Sequence, residues 1–278
     1  MENSNSYGLI DLDRYPINDL AGEAGQRLIE ETQAALEQDG SCSMPGFIRP
    51  SVIAKMAVEA GTLRHLAYSG PTEVTPYFFN YDLGKGNKLP VDHPLKRKGK
   101  RKLSQVAADL IPEHHLLSRL YYSTVLTSFL AKVLDRPVYR NQDKYQSLNI
   151  SMMNAGGCQQ WHFDSGHMVT TLLLQAPEAG GVFEYVPELR SDQSENFEQV
   201  QLVLDGDSKG IKHLALKAGT LSLFRGHYSM HRVTEVTGDR MRIQAILGFS
   251  TKPCLHGNLE SSILHYGPRV AELEGEKQ

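Results

Sequence analysis

Apolar positions recur at helical spacing through the first half of the chain. Over residues 18–36, Leu20, Ala24, Leu28, Ile29, Thr32 and Leu36 fall on one face, which predicts a helix ended by Asp39-Gly40. Gly46-Phe47-Ile48 reads as a short strand. Pro50 suits the first turn of a second helix, with Ile53, Met56 and Ala57 on its apolar face. Residues 118–134 carry Leu120, Val125, Leu126, Phe129, Leu130 and Val133 and predict a third helix. The period changes after Tyr145. Short apolar runs at 147–153, 168–175, 181–186, 220–225 and 242–250 are broken by turn signals such as Asn154-Ala-Gly-Gly, Ala179-Gly-Gly and Thr237-Gly-Asp. A helical first half followed by many short strands predicts an α+β fold, mainly β, with a sandwich or barrel core. Residues 187–207, rich in Glu, Gln and Ser, read as an insert that packs over the barrel as a loop and short helix.

One strand already hints at a lumen. Tyr145, Ser147, Asn149 and Ser151 share one parity, while Leu148, Ile150 and Met152 take the other. The polar side faces either solvent or a wet pocket. Composition narrows the setting. The chain has 278 residues, 40% hydrophobic and 22% charged, enough to bury a sizeable core and unlike a disordered chain. Its 29 basic and 32 acidic residues give a net charge of −3, which argues against general nucleic-acid binding. No apolar run is long enough for a membrane span. Residues 1–7 are polar and the three cysteines are widely spaced, so a cytoplasmic protein without a secretory signal or a disulfide framework is expected.

The chemistry concentrates at Trp161-His162-Phe163-Asp164. In extended chain His162 and Asp164 point the same way and can grip one ion. Alone, a His-x-Asp is common, and a surface turn with a capping Asp explains it. A second histidine, His231, lies on a later β run, and Arg242 opens the next apolar strand on one face with Gln244 and Arg240. Two imidazoles and one carboxylate form a facial triad with open positions, suited to Fe(II). A buried arginine would offer a planar fork to a remote carboxylate, and Arg242 and Arg240 compete for that role. His227 and His167 lie near the triad in sequence, but the β and loop setting favours His231 as ligand. Arg225 is either an anion contact or a surface ion pair.

His-x-Asp, a distal His and a following Arg form the pattern of Fe(II)/2-oxoglutarate-dependent oxygenases, and the chain resembles that superfamily. It is more closely similar to a group that includes free-amino-acid radical halogenases of the lysine type and their hydroxylase siblings. Leu148-Asn149, Trp161-His-Phe-Asp164, Leu172-Leu-Leu-Gln-Ala-Pro177, Gly180-Gly-Val-Phe-Glu-Tyr185, Gly219-Thr-Leu-Ser-Leu-Phe-Arg225 and His231-Arg-Val-Thr234 match in order, over about residues 75–250. The resemblance implies a single domain. Residues 1–140 would form a helical support with a basic loop near 93–102. Residues 141–252 would form a double-stranded β-helix of jelly-roll or cupin type, and 253–278 a C-terminal extension. It implies His162, Asp164 and His231 as iron ligands and Arg242 on the 2-oxoglutarate tail; Arg240 is the alternative to Arg242, and Asn149 is a further candidate cosubstrate contact. The cofactors would be Fe(II), 2-oxoglutarate and dioxygen, with ascorbate as a reductant in vitro. Radical halogenases lack the carboxylate ligand, so Asp164 implies hydroxylation in place of halogen transfer.

The implied partner is a small molecule, a free amino acid or a similar polar metabolite, with no nucleic acid and no membrane. Tyr145, Gln159, Arg97 and Ser165 are the candidate substrate contacts. Asp143 and Glu184 are the acidic candidates for a substrate ammonium, and Glu184 and Tyr185 are equally explained as structural. The basic block 96–102 reads as a solvated loop, a polymer-binding patch or a substrate-facing segment holding Arg97. The same site could desaturate or cyclise its substrate. Outside enzymes, the alternative is a β-barrel that binds a metal or small acid without catalysis.

Overall fold

The computed structural model describes residues 8–78, 88–214 and 216–275. The polar stretch 1–7, on which the expectation of no secretory signal rests, lies outside them. Helices α1 (Glu23–Asp39), α2 (Pro50–Thr62), α3 (Leu116–Tyr121) and α4 (Thr124–Val133) precede the main β region, α5 (Phe197–Leu204) lies within it, and α6 (Leu259–Tyr266) and α7 (Arg269–Gly275) follow it. α1 begins later than its apolar period suggests, because the chain at 19–22 is a turn. It ends on Gly40 in the left-handed region (φ 64°), whose N–H donates to the Leu36 carbonyl. Pro50 opens α2 as expected. The helix expected over 118–134 is two helices. Ser123 adopts extended backbone between them, so α4 starts afresh from a new cap. Gly46-Phe47-Ile48 is not a strand. Gly46 turns the chain at positive φ, buried Phe47 and Ile48 follow with only a single β-bridge from Ile48 to Ile10, and the strand lies just before, at Ser41–Met44.

Two six-stranded sheets form the core. The larger runs β1 (Ser41–Met44), β12 (Leu221–Phe224), β8 (Val169–Gln175), β15 (Arg242–Leu247), β6 (Leu148–Met153) and β4 (Ser104–Val106). The smaller runs β11 (Lys212–Leu214), β10 (Phe183–Val186), β13 (Met230–Val233), β7 (Cys158–His162), β3 (Gly99–Lys102) and β2 (Glu73–Val74). Every neighbour is antiparallel. Two ribbons, β14 (Val236–Thr237) with β9 (Ala179–Gly180) and β16 (Phe249–Ser250) with β5 (Tyr139–Arg140), complete the pairing. The N-terminal part is therefore more than helical support: β1, β2, β3 and β4 belong to the two sheets. They are short strands with few apolar residues, which is why periodicity did not reveal them.

The main core lies between the helices and the outer face of the larger sheet. Leu148, Ile150, Met152, Leu172, Leu174, Leu221, Leu223, Ile243, Ala245 and Leu247 pack there against Ile29, Leu36, Met56, Leu120, Leu126 and Phe129. Each fully buried Leu or Phe contributes about 1.5–3 kcal/mol. Alternation then sends Asn149, Ser151, Arg242 and Gln244 to the other face, which is the lumen expected from the parity of the 145–152 run. The insert folds as expected. Its helix α5 buries Val200 and Val203 in a second cluster with Tyr77, Trp161, Phe163 and Met230.

Candidate metal centre

A β-bulge brings the site together. On β13, His231 and Val233 are two apart, but their partners on β7, His162 and Gln159, are three apart. The extra residue lets both Gln159 and His162 face the lumen, while Trp161 turns outward to meet the Arg232 guanidinium, 4.7 Å from its ring. His162 and His231 sit opposite each other with ring centroids 4.0 Å apart. Both donate Nδ1–H to a backbone carbonyl two residues back, His162 to Gln160 at 2.8 Å and His231 to Ser229 at 3.0 Å. That fixes the tautomer and leaves a lone pair on each Nε2 as a metal donor, the one on His162 accepting from the Gln159 amide at 3.0 Å.

Asp164 completes the triad from the loop after β7. Its Oδ2 is 3.2 Å from His231 Nε2 and its Oδ1 4.0 Å from His162 Nε2. Its N–H donates to the Gly226 carbonyl at 3.0 Å. A Cβ on Gly226 would fall 2.0 Å from Asp164 Oδ2, so only glycine leaves space for this carboxylate. Burial pushes the Asp164 carboxyl up, and the Arg190 guanidinium acts against burial and favours the ionised form. Burial, then the facing His231, depress the His162 imidazole to about 3, so it stays neutral as a ligand must. Two imidazole nitrogens and an ionised carboxylate within 4.8 Å of one another fit a borderline divalent metal such as Fe(II). Gln159 Nε2 donates to His162 Nε2 at 3.0 Å and marks where the ion's neighbours would stand.

Two guanidinium groups line the lumen. Arg242 is only 3% exposed, and burial lowers it to about 10. Its Nη2 donates to Gln244 Oε1 and, among the described residues, no carboxylate pairs with it. A buried cation without a counter-ion is built to receive an anion. Its rival Arg240 is ruled out for that role. It is exposed and spends its donors on the Ala176 and Pro177 carbonyls at the turn. The second group is Arg101, which sequence reasoning missed. It lies on β3 opposite Gln159, is 2% exposed, and burial lowers it to about 10. Its Nη2 donates to Gln105 Oε1 at 2.6 Å and its Nε has no partner among the described residues. Gln105 passes the network on to Asn149 Oδ1 at 3.2 Å, and His265 of α6 contacts Gln105 Oε1 at 3.0 Å. The signal was present: in Lys100-Arg101-Lys102, strand alternation sends both lysines outward and the arginine inward.

Other expected contacts lie elsewhere. The basic block is not a solvated loop, since half of it is β3. Arg97 is bound to Asp205 and the Leu204 carbonyl at the end of α5 and does not reach the lumen. Tyr145 is buried against Ala107, Tyr266 and Val270, with its hydroxyl on Glu274, so it anchors the C-terminal helices instead of the pocket. Ser165 is exposed on the loop next to Asp164. Neither acidic candidate faces a substrate: Asp143 accepts from the N–H groups of Tyr145, Gln146 and Gly257, and Glu184 pairs with Arg232 and His213 outside the barrel. Arg225 pairs with Glu188, and Tyr185 is a buried packing residue. His167, Asp192 and His227 also bring ligand atoms within 4.8 Å of one another. There Arg190 already hydrogen-bonds His227 Nδ1 at 3.2 Å, and Tyr228 bridges His167 and Asp192 at 2.7 and 3.0 Å, so the cluster ties loops together instead of presenting free ligands.

Solved structures share this architecture. The non-heme α-ketoglutarate-dependent epimerase SnoN from nogalamycin biosynthesis aligns with TM-score 0.54 and 13% identity over 81% of this chain and 83% of its own. AviO1 from Streptomyces viridochromogenes Tue57 aligns with TM-score 0.54 and 14% identity over 81% and 95%. HygX from Streptomyces hygroscopicus, with nickel and 2-oxoglutarate bound, gives TM-score 0.50 and 14% identity over 79% and 86%. At this identity they establish the fold, the double-stranded β-helix. No curated protein matches in sequence. Residues 85–263, more than half of the chain, match the family described as Halogenase D. The chain belongs to the Halogenase D family, within the Fe(II)/2-oxoglutarate oxygenase superfamily.

Proposed function

We propose that this protein is an Fe(II)/2-oxoglutarate-dependent hydroxylase acting on an unactivated C–H bond of a small polar metabolite that bears a carboxylate, such as a free amino acid. The observation that carries this reading is the convergence of two Nε2 atoms and the Asp164 carboxylate in one lumen with the buried Arg242, which has no carboxylate partner among the described residues. His162, Asp164 and His231 would hold the metal, and Arg242 with Gln244 the distal carboxylate of 2-oxoglutarate. Bound iron supplies the oxidising chemistry: substrate C–H, dioxygen and 2-oxoglutarate become C–OH, succinate and carbon dioxide. The chain's own groups bind and orient. Asp164 occupies the position a halide would need, which supports hydroxylation within a family named for halogenation. HygX holds a divalent ion and 2-oxoglutarate on the same fold, which supports the cofactor assignment.

Arg101 carries the substrate part of the proposal. Its guanidinium, whose Nε has no partner among the described residues, would take the substrate carboxylate, the role expected of Arg97, and Gln105, Gln159 and His265 would surround the remainder. The test is anaerobic titration with Fe(II) and 2-oxoglutarate, followed by an aerobic mass-spectrometric screen of amino acids. A weak visible charge-transfer band and succinate coupled to a product heavier by one oxygen are expected, and a product lighter by two hydrogens would mean desaturation or ring closure. Asp164→Ala should abolish succinate formation; undiminished turnover by His231→Ala would refute the triad.

A further inference from the structure

The insert at 187–207 reaches back to the carboxylate ligand through one side chain. Arg190 is embedded, its side chain 9% exposed. Its guanidinium lies 4.2 Å from the ring centroid of Phe163, the residue between His162 and Asp164, and 5.6 Å from that of Tyr77. Its Nε donates to the His227 carbonyl and its Nη2 to His227 Nδ1 at 3.2 Å, while Nη1 meets Glu195 at 3.0 Å. Its backbone N–H donates to the Tyr228 carbonyl at 3.1 Å. The insert thus runs alongside residues 225–229. That segment carries both supports of the triad: the Gly226 carbonyl, which receives the Asp164 N–H, and the Ser229 carbonyl, which receives His231 Nδ1–H. Glu188 N–H reaches Ser229 Oγ at 3.2 Å and adds a second tie.

We propose that Arg190 is a positioning residue for Asp164: its fork fixes the 226–227 backbone, and that backbone fixes the carboxylate ligand. The inference rests on the triad being the metal centre. The physical ground is geometric. The Gly226 carbonyl holds the Asp164 N–H at 3.0 Å, and a side chain at 226 would fall on the Asp164 carboxylate, so the 226–227 backbone and the ligand are placed together. Arg190 holds the next residue at two points on one plane, which a lysine cannot reproduce. Its stacking on Phe163 clamps the other side of Asp164. The insert is therefore part of the metal centre's support, not only a cover over the barrel.

The test is cobalt substitution of the full chain, read by the visible d–d spectrum and by the affinity for Co(II). Arg190→Gln should weaken Co(II) binding about 10- to 100-fold, as loss of a ligand's supporting contact does, and change the spectrum. Arg190→Lys, which keeps the charge but not the fork, should show the same spectral change. Val200→Ala loosens the packing of α5 while leaving Arg190 in place, and should lower the melting temperature with an unchanged spectrum. Wild-type spectrum and affinity in Arg190→Gln would overturn the proposal, as would full rescue by lysine or an equal spectral change in Val200→Ala. Failure of the wild-type chain to bind Co(II) at the triad would instead overturn the metal-centre reading, so the two failures are distinguishable.

Discussion

Gly226 shows how far one absent side chain can carry function. The space a methyl group would need is taken by Asp164, so Gly226→Ala must displace either the loop or the carboxylate. Weaker Mn(II) binding by about 10-fold or more is expected with the fold intact, measured by calorimetry against circular dichroism. The two arginines of the basic block make an opposite pair. Arg97 is a surface ion pair with Asp205, worth about 0–1 kcal/mol, and Arg97→Ala should leave turnover near wild type. Arg101 is buried with no carboxylate partner among the described residues. Arg101→Gln should raise KM for the substrate by about 10- to 100-fold, the loss of a charge-assisted hydrogen bond of about 1.5–3 kcal/mol, while uncoupled 2-oxoglutarate decay persists. Steady-state kinetics on the two variants separate these roles. The triad could be proposed from the sequence because a His-x-Asp, common by itself, is followed in order by a distal histidine and an arginine that opens an apolar strand. Arg101 is harder to read, because the alternation that turns it inward becomes a signal only once residues 99–102 are known to pair as a strand within a block that otherwise looks like a solvated surface.

Secondary-structure elements were legible where burial follows a regular period. Four of the five β runs of the second half appear within a residue or two of their expected ends, and the fifth, 242–250, is two strands, β15 and β16, that break at Gly248 and pair in different sheets. The bulge on β7 was not legible, although it alone turns both Gln159 and His162 inward, because an inserted residue is defined by the partner strand. The break at Ser123 was hidden by an apolar stripe that continues across it; Tyr121 on one side is fixed by its hydroxyl to the Gly248 carbonyl at 2.8 Å. The C-terminal extension also gained a role that only packing shows. Tyr266 of α6 is buried against Tyr145 and Ala107, and the same helix delivers His265 to Gln105 and Arg101. Tyr266→Ala should therefore cost about 3–5 kcal/mol in urea unfolding, a large aromatic truncation in a packed site. It should also raise the substrate KM, because the helix that seats His265 loses its anchor.

The two sheets close around groups that fold in an uncharged state, and this ties the stability of the whole chain to pH. Burial holds His265 at about 4, with the Arg101 guanidinium adding to the effect, and burial holds His162 at about 3. In the unfolded chain both imidazoles titrate near 6.5. Between that value and their folded values the unfolded state binds more protons than the native one, so stability must fall as the pH drops. The contribution is complete above about pH 6.5 and is lost progressively down to about 4 for His265 and 3 for His162. A ligand that binds only the folded chain acts in the opposite direction: a divalent metal at 100 times its Kd adds about 2.7 kcal/mol. The metal-free protein is therefore expected to show a urea midpoint that falls steadily from pH 7 to pH 4. His265→Gln keeps a polar group against Gln105 but removes one of the two titrating imidazoles, and its midpoint should fall less steeply over the same range. Equal slopes for the two proteins would mean that His265 is not held neutral in the fold, and the packing of α6 over the Arg101 network would have to be redrawn.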